Sequence, residues 1–237
     1  MIIMKKSVFQ LSVLLICCFS ASVTRAQLSL GLRAGVNFAN LAVTDEESFP
    51  FKPKAGLSFA LLFHLPLGTS TAIQIEPGFS QRGGRISTKT SEFINNQQVK
   101  ADIKGKLLVN YIELPVLFQY KPKLGKMEGL LSIGPEFRLM TGNVRAKSSS
   151  RVYVDGVLIS STSGDESYAS GNDTRKFDFG LSGGAGLAYP LGTVKVFAEG
   201  RYHLGLANLA TPIDGDNSKV HNRGASVHIG VLVPVGK

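Results

Sequence analysis

The segment that decides the fold is residues 193–206, TVKVFAEGRYHLGL. Every second position carries an apolar or small side chain: Val194, Val196, Ala198, Gly200, Tyr202, Leu204 and Leu206. The positions between them carry Lys195, Phe197, Glu199, Arg201 and His203. A period of two residues is the period of a β-strand. The segment therefore predicts a strand with one apolar face and one polar face.

The same alternation recurs in seven other segments, so the sequence predicts eight strands. Besides 194–206, they span residues 28–38, 55–65, 72–81, 107–120, 129–140, 177–189 and 224–235. Most are about 10–14 residues long, which is enough to cross a bilayer when the strand is tilted. Strands of soluble proteins average about 5–6 residues. The length of the segments therefore favours a membrane barrel over a soluble sandwich.

Charged side chains within these strands occupy only the polar face. They are Arg33, Glu76, Glu113, Glu136, Arg138, Asp178, Lys195, Glu199 and Arg201. A basic side chain that faces lipid at mid-depth costs roughly 2–4 kcal/mol, so we expect the charged face to point inward. The interior of an eight-stranded barrel is only wide enough for side chains. We therefore predict a filled lumen held by a structural ion-pair network of these nine residues.

The connections between the predicted strands alternate in length. The short ones, at 66–71, 121–128 and 190–193, contain Pro and Gly, and the long ones fall at 39–54, 82–106, 141–176 and 207–223. Outer-membrane barrels have short periplasmic turns and long outer loops. The predicted fold is therefore all-β: a closed, eight-stranded, antiparallel, up-and-down transmembrane β-barrel in the bacterial outer membrane.

Two local features qualify this prediction. Asp155-Gly156 predicts a hairpin inside the connection 141–176, which we expect to project beyond the membrane. A ten-stranded barrel is the alternative. Pro77, Pro115 and Pro135 lie within predicted strands, where a missing N–H is expected to produce β-bulges.

Residues 1–26 are predicted to be a cleaved secretory signal peptide, which leaves residues 27–237 as the barrel domain. Lys5 and Lys6 precede an apolar run at 8–20, and residues 24–26 end in a small residue suited to cleavage. Lipoprotein cleavage at Cys17 or Cys18 is the alternative, although large side chains stand where a small one is needed. Both cysteines of the chain lie here, so the barrel domain can form neither a disulfide scaffold nor a cysteine nucleophile.

No catalytic, cofactor or metal site is predicted in the barrel domain. The four histidines lie in separate segments without a close-spaced ligand pair, and the regular spacing of the strand carboxylates suits ion pairs better than paired acid–base catalysis. Residues 214–217, DGDN, lack the spacing of a calcium loop. The net charge is +9, and the basic residues are scattered along the sequence rather than clustered, so nucleic acid is not an expected partner.

Several stretches carry a family resemblance. The main ones are GLRAGVN at 31–37, IEPGFSQRG at 75–83 and NYIELPVL at 110–117, with shorter matches at 134–135, 177–180 and 222–224. The chain resembles the PorT-like "porin family" outer-membrane β-barrel proteins of Bacteroidota, although Pro77-Gly78 and residues 233–237 depart from the family pattern. The resemblance implies an outer-membrane barrel without one particular activity, and some members serve a protein-secretion system.

We therefore expect a non-enzymatic outer-membrane barrel that acts through its long extracellular loops, in a structural or interaction role or as a narrow porin. The alternatives are a component that assists protein secretion, an outer-membrane enzyme, and a lipocalin-like periplasmic barrel with an apolar interior. The expected partners are membrane lipid and lipopolysaccharide, the barrel-assembly machinery, and a protein bound at loops 82–106 and 141–176. No cofactor is expected.

Overall fold

The computed structural model describes residues 27–43, 52–169, 175–209 and 219–235, which form eleven antiparallel strands. The strands are β1 (Ser29–Val43), β2 (Lys54–Pro66), β3 (Thr71–Ile75), β4 (Gly78–Ile94), β5 (Gln97–Tyr120), β6 (Lys123–Leu124), β7 (Met127–Val154), β8 (Val157–Tyr168), β9 (Phe177–Leu191), β10 (Val194–Gly205) and β11 (Val220–Pro234). No helix within these ranges is long and apolar enough to cross a membrane. The predicted signal peptide, residues 1–26, lies outside the described residues.

Eight strand positions form a closed ring. β1 pairs with β2 on one side and with β11 on the other, and β11, β10, β9, β7 and β5 follow in order. β3 and β4 together form the wall between β5 and β2, because the strand is interrupted at Glu76-Pro77. The predicted eight-stranded antiparallel barrel is confirmed.

The two faces of the wall differ in chemistry. Large apolar side chains lie on the outer surface, with Ile133 63% and Ile229 67% exposed. Charged side chains of the same strands point into the barrel, and Glu76 and Glu136 are completely buried. A lipocalin-like carrier needs the reverse arrangement, with an apolar interior and a charged exterior.

Residues 82–106 and 141–168 of the long connections are not irregular loops, and the sequence-based boundaries there are wrong. Residues 83–94 of β4, 97–108 of β5, 144–154 of β7 and 157–168 of β8 form a four-stranded sheet that continues beyond the ring. We call this region the extension sheet. It is rich in Ser, Thr and Lys, and polar strands of this kind lack the apolar alternation from which strands were predicted.

Two tight hairpin turns close the extension sheet. Asn95 and Asn96 both have positive φ, as do Asp155 and Gly156, and such turns match the right-handed twist of paired strands. The hairpin predicted at Asp155-Gly156 is confirmed. The ten-stranded alternative is wrong, because β7 pairs with β9 along residues 128–139 and with β8 only along residues 144–154.

The strand prolines behave differently from the prediction. The ladder is broken at Pro77, but the β5–β7 and β7–β9 registers run unchanged through Pro115 and Pro135. The register shift in this part of the wall lies instead between Leu108 and Asn110, where the extension sheet begins. The bulge therefore marks the exit from the ring rather than the position of a proline.

Candidate functional site

The barrel interior holds a continuous network of buried ion pairs. One centre of it is Glu76, which lies in the interruption between β3 and β4. Arg201 on β10 donates to both carboxylate oxygens of Glu76 at 2.6 Å, and Arg33 on β1 donates its Nε at 2.7 Å. Gln74 donates a further hydrogen bond to Glu76 at 2.7 Å, so both carboxylate oxygens accept more than one bond. Charge-assisted, two-pronged bonds of this kind are among the strongest in proteins.

The second centre is Glu136 on β7. Arg82 on β4 donates to it at 2.7 Å, Arg138 donates at 3.0 Å, and the Nδ1 atom of His203 lies 2.8 Å from it. Arg138 also donates to Asp178 on β9 at 2.5 Å. Side chains from β4, β7 and β10 therefore meet around this carboxylate inside the ring, and Arg138 links it to a fourth strand, β9.

Glu113 on β5 joins the two centres. Arg82 contacts it at 3.1 Å and Arg33 at 3.4 Å, while the hydroxyl of Ser80 donates to it at 2.7 Å. A single chain of ion pairs therefore crosses the lumen. In order, its members are Asp178, Arg138, Glu136, Arg82, Glu113, Arg33, Glu76, Arg201 and Glu199.

The structure brings together eight of the nine charged residues named from the sequence. The exception is Lys195, which lies near the short-turn end of the barrel and pairs with Glu128 at 2.6 Å. Both side chains are about a quarter exposed there. Lys195 is the second residue of β10, so it lies at the end of the strand, away from the network at the centre of the ring.

Arg82 is a central member of the network. From the sequence it was expected to lie in the connection 82–106, outside the predicted strands. It is buried and bridges Glu113 and Glu136. A signal for it was present, since the inward positions of this wall run Gln74, Glu76, Gly78, Ser80 and Arg82 without interruption. Extending the alternation by one step would have included it.

Small residues on β9 make room for the charged side chains of β10. Gly184 and Gly186 pair with Arg201 and Glu199. A Cβ atom at Gly184 would lie 2.5 Å from the backbone oxygen of Gly200 and 2.6 Å from Cγ of Arg201. The glycine-rich run of β9 is therefore a packing feature of the network.

Gly184→Val is expected to destabilise the barrel by about 1–3 kcal/mol, because the added side chain overlaps Arg201 and its strand. Gly183→Val is the matched control. It adds the same side chain at the preceding residue, where the nearest atom to a Cβ is 3.5 Å away. Urea unfolding of both variants in phospholipid vesicles measures the difference. Equal stability of the two would contradict the role assigned to this glycine.

A smaller polar cluster closes the short-turn end. Lys121, in the connection after β5, donates to Nε2 of His64 at 2.7 Å, and Nδ1 of His64 donates to Gln74 at 3.0 Å. These residues line a cavity of about 190 Å³ together with Lys195. Burial lowers the pKa of the Lys121 ammonium to about 8, and the positive charge of Lys195 acts in the same direction.

The arrangement is suited to filling and bracing the lumen. Five carboxylates face four arginines, and every one of these charges has an opposite partner within ion-pair distance. Buried charges are tolerated only when they are paired and hydrogen-bonded in this way. Within the described ranges, no three His, Cys, Asp or Glu side chains are placed to hold a metal ion.

The comparisons with known proteins agree with this architecture. The family model of the outer membrane protein beta-barrel domain matches residues 20–211, most of the chain. The chain belongs to this family. It is therefore a barrel of the bacterial outer membrane, surrounded by membrane lipid. No match to the chain was found among curated proteins.

Several solved structures of outer-membrane proteins are similar to the chain. Neisserial surface protein A (NspA) is 13% identical over 87% of this chain and 96% of its own, with a TM-score of 0.39. Ail, the attachment invasion locus protein of Yersinia pestis, is 15% identical over 87% and 98%, with a TM-score of 0.31. A major outer membrane protein from Thermus thermophilus is 11% identical over 88% and 98%, with a TM-score of 0.41.

Proposed function

We propose that this outer-membrane barrel is a non-conducting, non-enzymatic protein that presents the extension sheet as an interaction surface. The observation that carries the proposal is the chain of ion pairs from Asp178 to Glu199, which crosses the lumen and leaves most of its side chains held by several partners each. The eight predicted residues other than Lys195 act in it as structural braces.

The filled lumen argues against a porin role. The interior of an eight-stranded barrel is only as wide as its side chains, and here those side chains are large arginines and carboxylates bonded to one another. Moving one aside to admit an ion breaks bonds to a buried charge, which costs several kcal/mol. The same bonding leaves the carboxylates without the open approach that an acid–base catalyst needs.

Conductance tests the blocked lumen. We expect the purified protein to pass no current in planar bilayers. We expect the variant Arg82→Ala/Arg138→Ala, which shortens two central side chains, to conduct ions. The matched control is Arg145→Ala/Arg151→Ala, which removes two exposed arginines of the extension sheet. Steady single-channel currents from the unaltered protein would contradict the proposal.

The extension sheet supports the interaction role. β8 pairs with β7 on one side, and within the described residues its other edge has no strand partner. Exposed edges bind extended segments of other chains. Val157, Leu158 and Ile159 are exposed along this edge. A protein partner is therefore proposed at β8, within the region predicted from the sequence as a loop.

Cross-linking and affinity capture from intact cells test this edge. We expect capture to be lost when Ser161 and Ser163 of β8 are replaced by proline, because the N–H groups of these residues point away from β7 and proline there blocks pairing at the free edge. The same replacements at Ser148 and Ser150 are unsuitable as a control, since β7 is paired on both sides. Ser161→Ala/Ser163→Ala is the control. Capture that survives the proline variant would contradict the edge as the docking site.

Three finer assignments are part of the proposal. The matches at 31–37 and 110–117 support membership of the PorT-like porin family of Bacteroidota, and a role beside a protein-secretion system is the second candidate. Residues 1–26 are proposed as a cleaved signal peptide, which the mass of the mature protein tests. The barrel-assembly machinery and lipopolysaccharide are the proposed partners during and after insertion.

A further inference from the structure

The extension sheet has one strongly basic face. Directly paired residues of antiparallel strands share a face, so the registers assign each side chain. One face carries eight cations: Arg85, Lys89, Lys100, Lys104, Lys106, Arg145, Lys147 and Arg151. It carries two acids, Asp102 and Asp165. We call it the basic face.

The opposite face carries none of these cations. Its residues are apolar, hydroxyl-bearing or acidic, including Ile86, Ile103, Leu107, Val152 and Glu166. All the lysines and arginines of the four extension strands thus lie on one side of the sheet. Exposure to water alone does not require all the cations of a sheet to lie on one face.

The basic face continues the lipid-facing wall of the barrel. On β5 the outward positions are apolar from Phe118 to Ile112. Asn110 and Leu108 follow, and the next two are Lys106 and Lys104. Leu108 and Lys106 are two residues apart, about 7 Å along the strand. The cations therefore begin a few residues beyond the continuous apolar surface, which is where we place the lipid headgroups.

Most of the positive charge is left unpaired by the protein. Asp165 accepts Lys147 at 3.0 Å and Arg145 at 3.5 Å, and Asp102 lies 3.7 Å from Lys104. The hydrogen bond from Lys147 lowers the pKa of the Asp165 carboxyl, which keeps it ionised. The other five cations have no carboxylate within ion-pair distance in the part of the chain that is described.

Arg85 and Lys106 form the centre of the unpaired charge. They are directly opposite each other in the register of β4 and β5, and Lys147 stands next to Lys106 on β7. Lys52 is bonded through its backbone to Arg85, which adds another cation at this point. All of these side chains are exposed.

We propose that the basic face binds the phosphate groups of lipopolysaccharide in the outer leaflet, with Arg85 and Lys106 as its principal contacts. The inference rests on the proposed function only in taking the barrel's lipid partner to be lipopolysaccharide. The apolar outer surface of the ring lies next to the cations and contacts acyl chains. This favours a lipid over a soluble polyanion as the bound molecule. Guanidinium groups bind phosphate through paired hydrogen bonds, and lysines add point charge.

Binding of purified lipid A tests the proposal. The mature protein in neutral detergent is titrated with bisphosphorylated lipid A and with the same lipid lacking its phosphates, and bound lipid is counted by native mass spectrometry. Each cation near an anionic membrane surface contributes about 1 kcal/mol, so removing two weakens binding about 30-fold. We expect that loss for Arg85→Gln/Lys106→Gln with the phosphorylated lipid and no loss with the phosphate-free lipid.

The matched control is Lys123→Gln/Lys126→Gln, which removes two exposed positive charges at the short-turn end. It should bind lipid A as the unaltered protein does. The change in gel mobility on heating shows whether each variant is folded. Equal binding by the two double variants, or equal affinity of the unaltered protein for both lipids, overturns the proposal.

A soluble polyanion is the competing occupant. If heparin binds the basic face and lipid A does not displace it, the face recognises a polysaccharide and the proposal is overturned. These outcomes are independent of the blocked lumen. Channel currents would overturn the proposed function without changing lipid binding, whereas loss of the phosphate preference would leave the blocked lumen intact.

Discussion

Arg201→Met is expected to lower the free energy of unfolding by about 3–5 kcal/mol, because it removes one partner from a buried ion-pair network. Arg201 donates to Glu76 at 2.6 Å through two nitrogen atoms and to Glu199 at 2.6 Å. Methionine keeps much of the side-chain volume but leaves the buried carboxylates of the network with one arginine fewer. The measurement is urea unfolding of the refolded protein in phospholipid vesicles.

A second substitution should restore part of this loss. Glu76→Gln in the Arg201→Met background removes a carboxylate that has lost its principal partner, so the double variant should be about 1–3 kcal/mol more stable than Arg201→Met alone. Arg151→Met is the control for removing an exposed arginine and should change stability by less than about 0.5 kcal/mol. Simple addition of the two destabilising effects would show that Glu76 and Arg201 are not coupled.

Ile133→Arg should destabilise the inserted barrel by about 2–4 kcal/mol, since it places a cation against lipid near mid-depth. Ile133 lies in the ring portion of β7, pairs with Phe118 and Gly183, and is 63% exposed on the outer wall. The prediction depends on that wall facing hydrocarbon rather than water.

Ile159→Arg is a closely matched control. Ile159 is also 63% exposed, but it lies on β8 of the extension sheet, outside the ring. The same substitution there should alter stability by less than about 0.5 kcal/mol. Equal effects of the two variants in vesicles would mean that the ring's outer surface is not in contact with lipid.

Strand alternation predicted the ring well because its energetic cause is local. Successive residues of a strand face lipid and lumen alternately, and a charged side chain at a lipid-facing position costs several kcal/mol. The inward placement of Glu113 and the outward placement of Ile112 follow from this rule. Where both faces of a strand are wet, as in residues 83–108, no such penalty operates and the alternation fades. The extension strands were missed for that reason.

Only one of the two hairpin turns of the extension sheet was predicted from the sequence. Asp155-Gly156 was recognised as a hairpin, whereas Asn95-Asn96, which also adopts two positive φ angles, was not. Asparagine tolerates this conformation better than most residues because its short side chain bonds locally. Reading that pair as a turn would have predicted the β4–β5 hairpin.

The amino-acid sequence by itself determined which face of each ring strand is apolar, how many strands cross the membrane, and most of the charges that enter the lumen. Tertiary structure alone decided which of those charges meet, because partners such as Arg33 and Glu76 or Arg82 and Glu136 lie on different strands. Their contacts depend on the stagger and closure of the ring, which no local pattern encodes. The same stagger left Lys195 with Glu128 and brought Arg82 to the centre.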